Sequence, residues 1–307
     1  MLNQGWVYYD RVRLSHVGLT VWDFYTQVYR HSSRAEWGDR LLSQQILIDG
    51  EPAKPEQILE KNQRLEYHRA PWAEPDAPLD YDILHAEKDF LIINKPSGLP
   101  VLPGGYFLEN TLLHQLRKNF PNETPIPIHR LGRGTSGLMI LARSPLAKTN
   151  LSQQLRKHQI TKIYRALIPT GDYPDQLTIT TPIGKVPHPI LGTIHAAHPD
   201  GKFSQSEMTV VRRSPETSIV EMDILTGRPH QIRIHLASIG YPLIGDPLYG
   251  TDGLPIIAEQ PQASALPGEC GYHLHAYYLK FLHPCSQKKL DFSSVPPLKL
   301  RVETDVI

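Results

Sequence analysis

The segment "IHRLGRGTSGLMILARS", residues 128–144, holds the features on which the fold and function of this chain depend. Its second half, "LMILAR", is an apolar run of the length typical of a buried strand. Its first half pairs a histidine with an arginine and then places two glycines around a second arginine. A loop at the start of a strand exposes side chains and backbone amides to a ligand. It resembles a catalytic loop without its reactive side chain, because Gly132 lies at its centre.

Positive charge is concentrated around this segment, although the net charge of the chain is only +1. No Asp or Glu occurs between Glu123 and Asp172. So long an acid-free run favours a polyanionic partner, RNA or DNA. For any single lysine, the alternative is a side chain that only solvates a helix surface. The cations of this run are Arg130, Arg133, Arg143, Lys148, Arg156, Lys157, Lys162 and Arg165.

Length and composition indicate a soluble, intracellular protein. A chain of 307 residues, 40% of them hydrophobic, can bury the core of one large domain or of a large and a small one. The first residues lack the apolar segment of a signal peptide, and no later segment has membrane-spanning length. We therefore expect a cytoplasmic monomer with no membrane partner, an organelle remaining open. Cys270 and Cys285 are too isolated for a metal or redox motif, which indicates packing residues in a reducing compartment.

The first part of the chain predicts a small unit of two helices and a hairpin. Apolar residues at Val21, Phe24, Tyr25 and Val28 have helical spacing, and Ser33 followed by Glu36 forms a capping box for a second helix. "ILIDGEPA" predicts a strand with an Asp-Gly turn, and "RLEYHR" another strand. The proline-rich "APWAEPDAPLDYD" then predicts a linker, so we place the domains at 1–75 and 76–307.

The rest of the chain predicts an α+β domain. Strands are expected at "DFLIINKP", "LMILAR", "KIYRALI", "LTIT", "EMTVVRRS" and "SIVEMDILT". Helices are expected at "NTLLHQLRKNF", at "SPLAKTNLSQQLRKH" with Pro145 in its first turn, and at "RPHQIRIHLASIG" ending at Gly240. Because strands and helices alternate irregularly, the pattern favours a mixed or antiparallel sheet with flanking helices.

Four segments have the character of functional loops, each with Lys, Arg, Tyr or His beside the end of a strand or the start of a helix. They are "NKPSGLPV", "HRLGRGTSGL", "KIYRA" and "TGRPHQIRIHL", the last continuing into "GYPLIGDPLYG". Together, in this order and spacing, they resemble the RNA pseudouridine synthases of the RluA type, and the resemblance covers roughly residues 80–290. The N-terminal unit more loosely resembles a small RNA-binding domain, first seen in a ribosomal protein, that often precedes these synthases.

The resemblance implies a cofactor-free isomerisation of a uridine within structured rRNA or tRNA. The glycosidic bond breaks, the uracil turns over, and it is rejoined through a ring carbon after the base has left its stack. The family aspartate that acts toward the ribose corresponds to Gly132. By the same match Tyr164 stacks on the uracil and Arg233 pairs with that aspartate. With Gly132 opposite, we expect Arg233 to be a buried cation without its partner, at a cost of several kcal/mol.

The basic residues of these segments are candidate RNA contacts, and Arg130 matches an arginine that enters the RNA near the displaced base. Considered without the resemblance, Arg130 is a phosphate contact or surface cation and Tyr164 a core residue of a strand. Asp246, Asp89 and Glu109 are the acids near the motifs, and we interpret them as structural. The RNA-binding candidates are His129, Arg130, Arg133, Lys162, Arg228, Lys95 and Lys202.

Two further features have ordinary interpretations. The Gly-Arg-Gly at 132–134 either brings backbone amides and Arg133 to a phosphate or is a simple turn. His188, His195 and His198 follow no metal-ligand spacing, so we expect no metal and predict a hairpin that leans on the RNA, with Lys202 as a phosphate contact.

Two hypotheses about function remain open at this point. In one, the chain is an RNA pseudouridine synthase whose chemistry runs despite Gly132, through an unidentified acid or an altered loop; retention of Arg130, Tyr164 and Arg233 favours it. In the other, it is a non-catalytic RNA-binding or RNA-folding protein on the same scaffold, as Gly132 suggests. A carboxylate within hydrogen-bonding reach of Arg233 would favour the first.

Overall fold

The computed structural model describes residues 2–189, 192–256 and 270–305. The chain separates into two compact units. One comprises Met1–Glu74 together with His188–Gly192, and the other comprises Pro75–Pro187 and Thr193–Ile307.

The N-terminal unit contains a four-stranded antiparallel sheet and two helices. The helices are α1 (Val21–Val28) and α2 (Arg34–Leu42). The strands are β1 (Trp6–Arg11), β2 (Ile46–Ile48), β3 (Glu51–Pro52) and β4 (Arg64–Arg69), in the order β1-β4-β2-β3.

Local sequence signals account for most of this unit. The capping box is confirmed: the Ser33 side chain accepts from the Glu36 amide, and the Glu36 carboxylate accepts from the Ser33 amide. The Asp-Gly turn between β2 and β3 is confirmed by positive φ angles at Asp49 and Gly50. Val21, Phe24 and Tyr25 face the core, but Val28 is exposed, because it lies at the last position of α1. Strand β1 was not predicted from the sequence.

The larger unit is built on one extended sheet. Its strands are β5 (Asp82–Ala86), β6 (Phe90–Lys95), β7 (Ile126–Pro127), β8 (Ser136–Ala142), β9 (Thr161–Pro169) and β10 (Gln176–Ile179), then β13 (Ser206–Arg213), β14 (Thr217–Ile224), β15 (Leu274–Leu282) and β16 (Lys289–Ser293). A separate hairpin pairs β11 (Ile183–His188) with β12 (Gly192–Ala197).

The sheet is mixed, as predicted, because one parallel pair interrupts an otherwise antiparallel arrangement. The order is β10-β13-β14-β9-β15-β8-β6-β5, and β15 runs parallel to β8. At that pair Gly137 has a φ of 108°, and a Cβ atom there would lie 2.3 Å from the Ala276 carbonyl oxygen. Only glycine therefore lets these strands meet where the loop before β8 begins.

Three helices pack on this sheet: α3 (Leu112–Asn119), α4 (Pro145–Arg156) and α5 (Gln231–Ser238). Ser144 caps α4 through its hydroxyl, with Pro145 in the first turn, as the sequence predicts. Helix α5 is buried along most of its length, and Gly240 follows it with a φ of 90°. This burial places Arg233 inside the domain. No helix in the described part of the chain is long and apolar enough to cross a bilayer.

Candidate active site

The loop at residues 129–135, called here the Gly132 loop, is held by a buried lysine from the neighbouring loop. Lys95, at the end of β6, donates to the carbonyls of Pro96 and Leu99 at 2.7 and 2.8 Å and to the Arg133 carbonyl at 3.3 Å. Its side chain is fully buried, and burial lowers the pKa of its ammonium group to about 7. We expected Lys95 to contact RNA, but in this structure its ammonium group faces backbone carbonyls instead.

Further bonds join the same two loops. The Gly98 amide donates to the Arg133 carbonyl at 2.7 Å, and the Ser97 hydroxyl donates to the Gly134 carbonyl at 2.7 Å. Gly98 has a φ of 99°, which glycine adopts without strain. The "NKPSG" segment therefore serves as the support of the Gly132 loop.

His129 fixes the other side of the loop to the sheet. Its Nε2 accepts a hydrogen bond from the Ile140 amide at 3.2 Å, which requires an unprotonated nitrogen. Burial, together with the nearby Lys162, lowers the pKa of His129 to about 4. His129 is thus a neutral anchor of the loop. Lys162 on β9 is itself buried, which lowers its pKa, while Asp223 opposes that shift.

Arg233 is not an unpaired cation, so the expectation that it lacks a partner is wrong. Its Nε and Nη2 donate to the two carboxylate oxygens of Asp246 at 2.7 and 2.5 Å. The side chains are 3% and 1% exposed. Burial opposes the charge of Arg233, but the bond to Asp246 and the electrostatic effects of Tyr272, Asp246 and Tyr249 together outweigh burial, so the guanidinium pKa lies above its ordinary value.

Asp246 is committed to structure. One carboxylate oxygen also accepts from the amides of Leu248 at 2.9 Å and Tyr249 at 3.3 Å. A carboxylate with four donors and almost no exposed surface has no open side toward a substrate. Asp246 therefore neutralises Arg233 without being free to act as a nucleophile or base.

A tyrosine lies where a side chain at position 132 would extend. A Cβ atom added at Gly132 would lie 3.0 Å from the Tyr272 hydroxyl oxygen. That hydroxyl is 3.2 Å from Thr135 Oγ1, and the Tyr272 ring lies 4.4 Å from the Arg233 guanidinium. Burial raises the pKa of Tyr272, against the opposing influence of Arg233 and Thr135. Beside Gly132 the chain thus presents a neutral phenol.

Tyr164 lies on the same part of the sheet. On β9 it is paired with Ala276 of β15, and Ala276 is in turn paired with Gly137 at the start of β8. Tyr164 is 8% exposed and packs in the main core cluster. Burial raises the pKa of its phenol, so the side chain is neutral. The strand register thus places the "KIYRA" motif beside the end of the "HRLGRGTSGL" motif.

A histidine and a tyrosine complete the surroundings of Arg233. His230, just before α5, adopts a φ of 57° and its Nδ1 lies 2.7 Å from the Tyr249 hydroxyl, which donates to the His195 carbonyl. Burial, then Arg233, lowers the pKa of His230 to about 3, with His195 and Arg130 acting in the same direction. Arg130 of the "HRLGRGTSGL" motif is therefore close enough to His230 of the "TGRPHQIRIHL" motif to affect its pKa.

The exposed cations lie on separate segments around these groups. Arg130 and Lys202 are exposed, and both contribute to the lowered pKa of His195 on β12, after burial and Lys185. Arg133 is partly buried, with its guanidinium 5.1 Å from the Phe107 ring. Arg228 donates to the Phe203 carbonyl at 3.0 Å. These residues are open to an anion to different degrees, Arg130 and Lys202 the most.

Two cations of the acid-free run are held by acids from elsewhere in the chain. Arg143 pairs with Glu123, and Arg165, which is 3% exposed, pairs with Glu221 and Asp305. Counting charges along the sequence therefore overstates the positive surface, because acids distant in sequence neutralise some of it. Asp89 accepts from Ser144 and Cys285 at the start of α4.

Among residues 2–189, 192–256 and 270–305, no group of three or more His, Cys, Asp and Glu is placed to hold a metal ion. His195 and His198 both belong to the segment of the β11–β12 hairpin, where the His198 Nδ1 accepts from the Asp200 amide at 3.2 Å.

Sequence reasoning missed Tyr272 and Thr135 as a pair. Tyr272 lies outside the motifs, and 137 positions separate it from Thr135. Tyr249 was inside a quoted motif but received no role. The only local signal for Tyr272 is its place just before the "LHA" strand, which by itself indicates no chemistry.

Comparison with known proteins gives a consistent result. Residues 89–238 match the sequence model of a family described as RNA pseudouridylate synthase. A protein of Synechocystis named an uncharacterized RNA pseudouridine synthase is 47% identical over 286 residues, covering 93% of this chain and 97% of that protein. RNA pseudouridine synthase 5 of Arabidopsis thaliana is 38% identical over 355 aligned positions, covering 99% and 96% of the two chains.

The fold is also found among solved structures. Human RNA Pseudouridylate Synthase Domain Containing 1 superposes with a TM-score of 0.54 at 24% identity, covering 72% of this chain and 86% of that chain. At this level of identity the likeness concerns the fold, and it agrees with the α+β architecture described above.

Proposed function

Because this chain belongs to the RluA-type family of RNA pseudouridine synthases, we propose that it converts uridine to pseudouridine in structured rRNA or tRNA. The observation that carries the proposal is the convergence of the four motifs on the Gly132 loop. Lys95 and Ser97 bond its backbone, His129 anchors it to β8, and Lys162 and His230 lie near it.

The local electrostatics suit an RNA substrate. The Arg233–Asp246 pair is neutral as a unit, so Arg130, Arg133, Arg228 and Lys202 leave the surroundings positive. Cations of this kind attract the phosphate backbone without reading its sequence. We assign the first contact with RNA to the exposed Arg130 and Lys202, and a phosphate contact to Arg133 and Arg228 after their side chains adjust.

The uridine is proposed to leave its stack and lie against Tyr164 and Gly132. An apolar strand tyrosine offers a flat surface to a displaced base. Gly132 is exposed and adds no side chain, so the sugar can approach the backbone closely. The small N-terminal unit is proposed to hold a further part of the same RNA.

A second function is favoured by one observation, the absence of a carboxylate at position 132. On that account the chain binds and shapes RNA without changing it. The scaffold and the cations serve both functions equally, since phosphate contacts do not depend on the chemistry at the base.

Tritium release separates the two functions. RNA from host cells lacking this protein, labelled with tritium at carbon 5 of uridine, is incubated with the purified chain, and tritium in water is measured. Isomerisation exchanges that hydrogen, so we expect release proportional to one modified site or a few per RNA. Binding of the same RNA without any release would overturn the synthase proposal and leave the binding function.

A further inference from the structure

We propose that the hydroxyl oxygen of Tyr272 is the nucleophile of this enzyme, in place of the carboxylate that the family carries at the position of Gly132. The inference rests on the proposed function and identifies the group that makes the reaction possible.

Tyr272 lies in close contact with two glycines of the Gly132 loop. Tyr272 and a side chain at position 132 crowd each other, because a Cβ atom at Gly132 would lie 3.0 Å from the phenolic oxygen and the tyrosine would have to shift by a few tenths of an ångström. The same ring accounts for Gly134, where a Cβ atom would lie 2.9 Å from Tyr272 Cζ and 3.2 Å from Cys270 Cα. Contacts under 3.4 Å to a buried ring force the structure to move. Two glycines of the loop are thus matched to one tyrosine.

The second argument is access. Tyr272 is 4% exposed, so most of its ring is covered, whereas Gly132 belongs to the exposed residues. The position that a Cβ atom would occupy at the exposed Gly132, 3.0 Å from this hydroxyl, is called here the Gly132 opening. A ribose lying on Gly132 would meet this oxygen. The Asp246 carboxylate has no comparable opening.

The third argument is stabilisation of the charge that forms during the reaction. The Arg233 guanidinium lies 4.4 Å from the Tyr272 ring, and Thr135 Oγ1 lies 3.2 Å from the hydroxyl. A cation over a ring gains attraction as the ring becomes more negative. The hydroxyl of Thr135 can donate to a developing phenolate. Both groups favour the transition state more than the neutral phenol, which is the condition for catalysis.

The steps balance without any other reactant. The phenolic oxygen attacks C1′ of the ribose, the C1′–N1 bond breaks with its electron pair going to uracil, and the phenolic proton passes to the uracil ring. The uracil turns and C5 attacks C1′, so the C1′–O bond to tyrosine breaks and leaves a phenolate. That phenolate takes the proton from C5, which then exchanges with water. Tyrosine serves as the nucleophile of sialidases, which also break a bond at an anomeric carbon.

The test compares Tyr272→Phe with a matched control, Tyr277→Phe. Tyr277 also stacks under a buried arginine, with Arg165 4.1 Å from its ring, but Arg165 is bonded to Glu221 and Asp305 and not to Asp246. Phenylalanine preserves the ring and removes only the hydroxyl. With tritium-labelled RNA, we expect Tyr272→Phe to lower single-turnover release by roughly 100-fold or more and to bind RNA within about twofold of the wild type. Tyr277→Phe should match the wild type in both.

A second measurement does not depend on the variants. The first turnover is quenched in acid, and the protein is digested with nuclease and protease and analysed by mass spectrometry. We expect a ribosyl adduct on the peptide that contains Tyr272. Release by wild type and Tyr272→Phe at similar rates, or an adduct on another residue, would overturn the inference and leave the synthase function intact. If the wild type binds the RNA but releases no tritium, both the synthase function and the role of Tyr272 are overturned.

Discussion

Two buried arginines of the larger unit have nearly the same surroundings. On the proposal above, one is structural and the other also stabilises the reacting tyrosine. Arg165 on β9 and Arg233 on α5 are each 3% exposed, each bonded to a buried aspartate and each stacked on a tyrosine. Arg165 has a second acid, Glu221, and backbone on its remaining side, since it also donates to the Leu300 carbonyl. Arg233 has one acid, and the hydroxyl of the tyrosine beneath it lies beside the exposed Gly132.

A buried ion pair therefore does not by itself indicate a catalytic site. In both places pairing offsets much of the cost of burying a charge, as folding requires. On this proposal, the Arg233 cluster differs because position 132, beside the Tyr272 hydroxyl, has no side chain. The predictions below test this difference, beginning with the largest effect.

Removing either aspartate should destabilise the chain, but unequally. Asp246→Ala leaves Arg233 buried without an acid, so we expect a loss of about 3–5 kcal/mol. Asp305→Ala leaves Arg165 with Glu221, at 3.1 Å, and should cost less. Urea unfolding of both variants measures the two losses. Equal losses would mean that Glu221 does not compensate and that the two clusters are not different in charge balance.

Acid should destabilise the chain, because several of its buried histidines are neutral. Burial lowers the pKa of His275 and of His235 to about 4 and that of His230 to about 3, from 6.5. Between pH 6.5 and these values the unfolded chain binds protons that the folded chain does not, so stability falls as pH falls. Each group contributes at most about 1.4 kcal/mol per pH unit.

Thermal unfolding between pH 7.5 and 4.5 measures this dependence. We expect the Tm to fall steeply as pH drops below 6.5, and His235→Gln should flatten the fall. A wild-type Tm that stays level down to pH 4.5 would show that these histidines are protonated in the folded chain.

Closing the Gly132 opening should affect activity more than stability. The Cβ atom of Gly132→Ala would lie 3.0 Å from the Tyr272 hydroxyl, and we expect a loss of about 1 kcal/mol and at least a tenfold fall in tritium release. Gly104→Ala is the control, because nothing lies within 4 Å of its Cβ. Gly132→Asp is expected to be inactive too, since its carboxylate and Tyr272 compete for one place. Restored or increased release by Gly132→Asp alone would contradict the pairing of Gly132 with Tyr272.

The smallest effect is expected at the exposed cations. Arg130→Ala should weaken RNA binding and reduce the slope of log K against log salt by about 1. Arg143→Ala should leave that slope unchanged, because Arg143 is already paired with Glu123. Filter binding at several salt concentrations measures both. An unchanged slope for Arg130→Ala would remove this residue from the RNA contacts.

The sequence predicted the parts of the fold that depend on neighbours along the chain. The capping box at Ser33, the Pro145 start of α4 and the buried strand before Pro96 are of this kind. Strand β1 was missed because aromatic residues mixed with charges give no clear period there.

The site could be predicted only in part. The four motifs located the Gly132 loop, Tyr164 and Arg233, but the partner of Arg233 and the position of Tyr272 depend on long-range packing. From the sequence, Lys95 was predicted to be an exposed RNA contact. In the structure it is buried and donates to the backbone carbonyls of the two loops. The motifs therefore predicted which loops meet. The role of each residue in those loops became clear only from its burial and its hydrogen bonds.

The most direct test of the account is the pseudouridine content of cellular RNA. Host cells that lack this protein are supplied with the wild type, Tyr272→Phe or Tyr277→Phe, and pseudouridines in rRNA and tRNA are mapped at single-nucleotide resolution. We predict that at least one uridine is converted by the wild type and by Tyr277→Phe, and remains uridine with Tyr272→Phe. The same pseudouridines in all three strains, or no difference between wild type and the empty strain, would contradict the account.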